Sequence, residues 1–142
     1  FRQTKYWDNT LIIILPDHST GLVGNLANSD SLRYRIPMVW CGGAVKSHQV
    51  VDKISSQIDL SATLLGQLGI KHDDFMFSKD VFDNNSPEFA IFAFNNGFGI
   101  IEKEGYASYD YDSQTEITST DAEILKRGKS FIQTVYRDFE RR

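Results

Sequence analysis

An unbroken apolar run near the start of the chain, Thr10 to Leu15, constrains the fold more than any other feature. A strand with one wet face alternates apolar and polar side chains, whereas this run is continuous and rich in isoleucine. The run therefore predicts a strand buried on both faces, as in the centre of a parallel sheet covered by helices. Pro16 ends it, because proline has no N–H to donate to a ladder.

A polar, glycine-containing loop follows this strand, from Asp17 to about Asp30. Ligands of open α/β sheets bind beyond the carboxyl ends of the strands, which makes the Asp17-His18 pair a candidate site. A carboxylate oxygen beside an imidazole nitrogen suits Mn or Zn better than Ca. Adjacent side chains of a regular strand diverge, so both converge on one ion only if the backbone turns here. The alternative is an aspartate that caps a turn beside a surface histidine.

The remaining reactive side chains are expected to be inert. Two histidines lie in polar loops or turns, the single thiol ends an apolar strand, and no Gly-x-Ser-x-Gly elbow surrounds the two hydroxyls. Solvent-facing, buried or loop hydrogen-bonding roles are favoured for all of them: His48, His72, Cys41, Ser19 and Thr20.

Helical and strand patterns follow along the chain. Ile36 to Cys41 reads as a second strand, and the leucine spacing after Asp59 predicts a helix from Leu60 to Leu68. Asp59 is the expected N-cap and Gly69 the expected left-handed residue at the helix end. The later segments predict an antiparallel meander and a terminal amphipathic helix: strands Phe89–Phe94, Phe98–Ile101, Tyr106–Tyr111 and Glu116–Ile117, a hairpin turn at Asn95-Asn96-Gly97, and a helix from Thr120 to Phe139.

Composition and charge exclude several classes. Apolar residues make up 41% of the 142 residues and aromatic residues 13%, which is enough to build a core. A net charge of −4 gives no footprint for nucleic acid. The longest apolar run is far shorter than the roughly 20 residues of a membrane helix, so no span is expected. Because the chain begins with Phe1, we expect it to be a piece of a longer protein.

Three segments together resemble one known family. Asn9–His18 resembles the "NTLIIFTSDHG" strand of sulfatases and phosphoglycerol transferases, and Arg35–Trp40 resembles their strand with Arg, Val or Ile, and Pro. Gln57–Leu65, with Gly69-Ile70 after it, is similar to their "Q-V/I-D-L-x-P-T-L-L" element. The closest match is the lipoteichoic acid synthase-like branch of the alkaline phosphatase superfamily. The sequence departs from the pattern at Ser19-Thr20-Gly21 and at Ala62.

The resemblance implies an incomplete alkaline phosphatase-like α/β fold. Its partly parallel sheet would be flanked by helices and followed by the antiparallel meander and the terminal helix. The chain would be the C-terminal portion of a sulfatase-like catalytic domain, with an α/β part over residues 1–70, a loop and meander over 71–119, and the helix over 120–142. The family's nucleophile would precede this segment, so the isolated chain is expected to be inactive.

The resemblance also implies a metal-dependent hydrolase or transferase of anionic phosphate or sulfate esters. Asp17 and His18 would be metal ligands, with manganese favoured and zinc, magnesium or calcium as alternatives. The parent protein would be membrane-anchored, would work on the extracytoplasmic face, and would take a small anionic ester or lipid head group. Self-association through exposed apolar surface is expected. The alternative is a non-catalytic α/β binding or interaction module in which the Asp-His pair is structural.

Overall fold

The computed structural model describes residues 1–19 and 24–142, and the described chain forms two compact units. The first comprises Phe1–Ala27 and Leu32–Asp52, and the second comprises Asn28–Ser31 and Lys53–Arg142. The predictions for Thr20 and Gly21 lie outside the described residues.

The first unit is built on a short antiparallel ribbon. Strand β1 (Ile12–Ile14) pairs with strand β2 (Val39–Cys41), with Ile12 opposite Cys41 and Ile14 opposite Val39. Strands of this length have few ladder hydrogen bonds, so contacts outside the ladder must hold the ribbon together.

The ribbon corrects two expectations for the apolar run. The prediction of a parallel sheet is wrong for the described strands, since β1 pairs antiparallel with β2. The prediction of burial on both faces is also wrong, because Ile12 and Ile13 are half-buried and Ile14 is 58% exposed. Its cross-strand partner Val39 is 53% exposed, so the pair leaves apolar surface in water. A continuous apolar run therefore fixes neither the burial of a strand nor the direction of the neighbouring strand.

Two glycines close the backbone around the start of the ribbon. The N–H of Gly43 donates to the carbonyl oxygen of Trp7 at 3.1 Å, and the N–H of Ala44 donates to that of Thr10 at 3.2 Å. A Cβ on Gly43 would lie 2.5 Å from the Cα of Asp8. A Cβ on Gly42, whose φ is +113°, would clash with the carbonyl oxygen of Thr10. Only glycine permits this approach of backbone to backbone.

The second unit contains helix α1 (Leu60–Gln67), which confirms the predicted helix within one residue. Gly69 has a φ of +67°, and the N–H of Ile70 donates to the carbonyl oxygen of Leu65 at 2.9 Å. This is the hydrogen bond of a Schellman motif, so the predicted left-handed glycine at the helix end is confirmed.

Asp59 occupies the predicted N-cap position of α1, but its side chain does not cap that helix. Its carboxylate makes no cap to α1 and is only 1% exposed. It accepts hydrogen bonds from the backbone N–H groups of Ser56, at 2.8 Å, and Lys79, at 2.9 Å, and from Nζ of Lys79 at 2.7 Å. The hydroxyl of Thr63 donates to the carbonyl oxygen of Asp59 at 2.6 Å and accepts from the N–H of Val81 at 3.0 Å. These bonds hold the loop after α1 against the helix.

The rest of the second unit is an antiparallel meander under a long helix. The strand order is β3-β4-β5-β6, and the hairpin turn before Gly97 has Asn96 at a φ of +64°. The meander and the terminal amphipathic helix are therefore confirmed. The elements are β3 (Phe89–Phe94), β4 (Gly97–Glu102), β5 (Gly105–Asp110), β6 (Thr115–Ser119) and α2 (Ala122–Glu140).

Helix α2 packs on the middle of this sheet. Its N-cap is Asp121, whose side chain accepts from the N–H of Glu123 at 2.9 Å. The backbone approaches the sheet at Gly128, where a Cβ would lie 2.8 Å from both Ile100 and Phe98. The core consists of side chains from both layers: Phe98, Ile100, Ala107, Ile124 and Leu125. None of the helices in the described residues has the length and apolarity needed to cross a bilayer.

We predict that Gly42→Ala opens the β1–β2 ribbon, whereas Gly69→Ala does not. Both positions have a positive φ, and alanine in such a conformation costs roughly 1 kcal/mol. Only Gly42 adds a clash with backbone, since nothing lies within 4 Å of a Cβ on Gly69. Hydrogen exchange should show faster exchange of the ladder amides in Gly42→Ala and unchanged exchange there in Gly69→Ala. Equal protection of the ribbon in the two variants would contradict this account.

We predict that Asp59→Ala lowers the free energy of unfolding by about 3–5 kcal/mol, because the ammonium group of Lys79 then stays largely buried without its carboxylate partner. The Lys79 side chain is 12% exposed, so water compensates little. Asp74→Ala, at an exposed position, serves as the control and should change stability by no more than about 0.5 kcal/mol. Urea denaturation measures both, and a loss below about 1 kcal/mol for Asp59→Ala would show that the network is dispensable.

Candidate functional site

The backbone bends at Asp17 and His18, with two residues between this bend and the end of β1. Oδ1 of Asp17 accepts a hydrogen bond from the backbone N–H of His18 at 2.9 Å, which holds the carboxylate over the bend. Oδ2 of Asp17 then lies 3.6 Å from Nε2 of His18. The backbone therefore turns at this point, and the turn allows the two adjacent side chains to converge.

The histidine ring is oriented by a second contact. Nδ1 of His18 lies 2.8 Å from the carbonyl oxygen of Ser19. A carbonyl oxygen only accepts hydrogen bonds, so this contact places a proton on Nδ1. In the neutral ring the lone pair is then on Nε2, the atom that faces the carboxylate of Asp17.

This arrangement fits a cation. A carboxylate oxygen and a neutral imidazole nitrogen are both acceptors, so a proton or a metal ion between them makes their approach favourable. Two ligands about 2.1 Å from one ion in tetrahedral geometry lie about 3.4 Å apart, close to the observed 3.6 Å. The side chains of Asp17 and His18 are 88% and 79% exposed, so an ion can reach both. They supply two ligands, and no group of three His, Cys, Asp or Glu side chains suited to a metal occurs among the described residues.

An open pocket of about 620 Å³ lies beside His18. The antiparallel register explains why it forms: Ile14 is opposite Val39, so the segment leaving β1 and the segment entering β2 meet at the same end of the ribbon. The pocket is lined from both segments and from the loop between them: Pro16, His18, Ser19, Gly24, Leu26, Leu32, Arg33, Arg35, Ile36 and Pro37.

Two arginines give this pocket a positive wall. Nη1 of Arg33 donates to the carbonyl oxygen of Leu26, another lining residue, at 3.1 Å. Arg35 is two residues further along and exposed. Burial raises the pKa of the Tyr34 phenol, and the neighbouring Arg33 charge acts in the opposite direction. In the described part of the chain, neither guanidinium lies within ion-pair distance of a carboxylate.

The other candidate side chains do not join this site. His48 is exposed and Cys41 is half-buried with no disulfide partner. His72 lies in a turn of the second unit, where the N–H of Phe75 donates to its carbonyl oxygen at 2.9 Å. Ser19 contacts the ring of His18 through its backbone carbonyl rather than its hydroxyl, so His18 is not placed as a base for that hydroxyl.

Reasoning from the sequence missed Arg33 and Arg35 as functional candidates. The sequence shows two arginines just before a predicted strand. Their position relative to Asp17 and His18 depends on how β1 and β2 pair, which the sequence did not reveal. Asp59, treated as a helix cap, gave no signal of burial either, because its partner Lys79 lies 20 residues away.

Comparisons with known proteins agree with this picture. The sulfatase family model matches residues 1–70, which include the apolar strand, the Asp17-His18 bend and the segment entering β2. These residues belong to the sulfatase family. A solved structure of a protein in the alkaline phosphatase superfamily from Vibrio parahaemolyticus aligns with 99% of the chain at a TM-score of 0.76 and 22% identity. The segment matched by the family model and the meander with helix α2 thus share the fold of that protein.

The chain spans 37% of the length of that Vibrio protein. The mixed α/β fold predicted from the sequence, with its antiparallel meander and terminal helix, is confirmed, and so is the family. The alkaline phosphatase superfamily, with its sulfatase members, consists of hydrolases and transferases that generally use divalent metal ions. The metal ligands of this particular chain stay a prediction.

Proposed function

We propose that the chain is part of a metal-dependent hydrolase or transferase acting on anionic phosphate or sulfate esters, and that Asp17 and His18 bind its divalent cation. The observation that carries the proposal is the bend after β1, which brings Oδ2 of Asp17 within 3.6 Å of Nε2 of His18 with both groups exposed to solvent. Membership of residues 1–70 in the sulfatase family supports it.

Two backbone groups orient the side chains of the pair. The backbone N–H of His18 holds the Asp17 carboxylate, and the carbonyl oxygen of Ser19 holds the ring with Nε2 free to bind an ion. Orienting contacts of this kind raise the affinity of a site, because less freedom is lost on binding. A bound divalent cation would supply charge stabilisation for the phosphoryl or sulfuryl group.

The finer parts of the proposal rest on the sequence resemblance. They are manganese as the metal, a phosphoglycerol head group or sulfated sugar as the substrate, and an extracytoplasmic, membrane-anchored parent protein. A nucleophile from outside these residues completes the reaction in this proposal, so the isolated chain is expected to show no phosphodiesterase or sulfatase turnover.

We predict that Asp17→Asn and His18→Ala each weaken Mn²⁺ binding by at least about tenfold, since even loss of a residue that only orients a ligand costs 10- to 100-fold. Isothermal titration calorimetry on the 142-residue chain measures this. Asp73→Asn and His48→Ala are matched controls, because each removes the same chemical group at a position away from the bend, and they should bind as the wild type does.

The same variants test the non-catalytic alternative. Because both side chains are largely exposed, their replacement should change the free energy of unfolding by no more than about 0.5 kcal/mol. Mn²⁺ binding retained in both Asp17→Asn and His18→Ala would contradict the metal site. A loss of stability well above 1 kcal/mol with unchanged Mn²⁺ binding would instead support a structural Asp-His pair.

A further inference from the structure

The pocket beside His18 combines features that suit an anionic ester. Arg33 and Arg35 form one part of its lining, and apolar side chains of Leu26, Leu32 and Ile36 form another. Ligand pockets are mostly apolar with a few placed polar groups that fix orientation. Two fixed positive charges in such a lining select a ligand with a negative group at one end and an organic group at the other.

Arg33 is held ready for this role by the pocket itself. Its Nη1 donates to the carbonyl oxygen of Leu26 at 3.1 Å, which fixes the side chain along the wall. A guanidinium has five N–H donors in a planar fork, so this bond leaves donors for a ligand. Arginine recognises phosphate and sulfate oxygens with two parallel hydrogen bonds, which lysine cannot do.

Arg35 is the less constrained of the two. It is exposed, it follows a short 3-10 helix over Ser31–Tyr34, and it forms no ion pair with the described carboxylates. It also comes two residues before Pro37 and four before β2, so the register of the ribbon holds it at the end where Asp17 and His18 lie.

We propose that Arg33 and Arg35 bind the phosphate or sulfate group of the substrate ester in this pocket, while its apolar lining contacts the organic group. The identity of the ligand rests on the proposed function, but the binding by arginine does not need the metal. The site therefore divides the work between two segments that meet at one end of the ribbon: the bend after β1 binds the cation, and the segment before β2 binds the anion.

The test is an NMR titration of the 142-residue chain with phenyl phosphate and phenyl sulfate, in the presence of a chelator so that no divalent ion contributes. We expect saturable shifts of the amides from Leu32 to Ile36, with tighter binding of phenyl phosphate than of inorganic phosphate. Benzyl alcohol, a neutral probe of similar shape, should bind at least about tenfold more weakly than phenyl phosphate, since each charged hydrogen bond contributes roughly that factor.

Variants locate the effect. Arg35→Gln and Arg33→Gln should each weaken phenyl phosphate binding by about tenfold or more. Arg137→Gln, which removes an exposed arginine from α2, is the matched control and should bind as the wild type does. Unperturbed amide spectra outside the pocket show that each variant is folded, and Arg35→Lys gives a second measurement in which the charge is kept but the fork is lost.

The outcomes separate this inference from the proposed function. Equal binding by Arg35→Gln, Arg33→Gln and Arg137→Gln, or shifts confined to another surface, would overturn the anion site even if Asp17 and His18 bind Mn²⁺. Arginine-dependent binding of phenyl phosphate without Mn²⁺ binding at Asp17 and His18 would support the anion site and overturn the metal site.

Discussion

The candidate site depends on one constraint, the antiparallel register of a ribbon with three residues in each strand. Ile14 lies opposite Val39, so the residues that leave β1 and those that enter β2 come together. The carboxylate and imidazole are on one side of this junction and the arginines on the other. The glycines after β2 hold the register, because a Cβ at Gly43 would lie 2.5 Å from the Cα of Asp8. Backbone contacts outside the ladder thus stabilise this short ribbon, as a long ladder of hydrogen bonds stabilises a larger sheet.

The second unit uses a different source of order. Its sheet and helix α2 enclose an apolar core, whereas the loop before the sheet is held by the buried carboxylate of Asp59. A buried charge costs several kcal/mol to desolvate, and three donors at Ser56 and Lys79 offset that cost. In this chain, the aspartate of the sulfatase-like "Q-I-D-L" element therefore stabilises the loop after α1.

Local signals in the sequence predicted much of this fold. The spacing of leucines predicted α1, Gly69 and Asn96 predicted their turns, and short apolar segments separated by turn residues predicted the meander. Long-range pairing was beyond those signals. An apolar run such as Ile12–Ile14 has the same composition in parallel and antiparallel ribbons. The predictions of its burial and of its pairing direction were therefore wrong. Arg33 and Arg35 became candidate binding residues only when the strand register placed them in the same pocket as His18.

We propose that the ribbon presents a cation site at the Asp17-His18 bend. Anomalous diffraction from a crystal of the chain soaked in Mn²⁺ tests it most directly. We expect an anomalous peak about 2.1–2.2 Å from both a carboxylate oxygen of Asp17 and Nε2 of His18. A peak bound only by other side chains, or a manganese-soaked crystal with no peak at the bend, would contradict it.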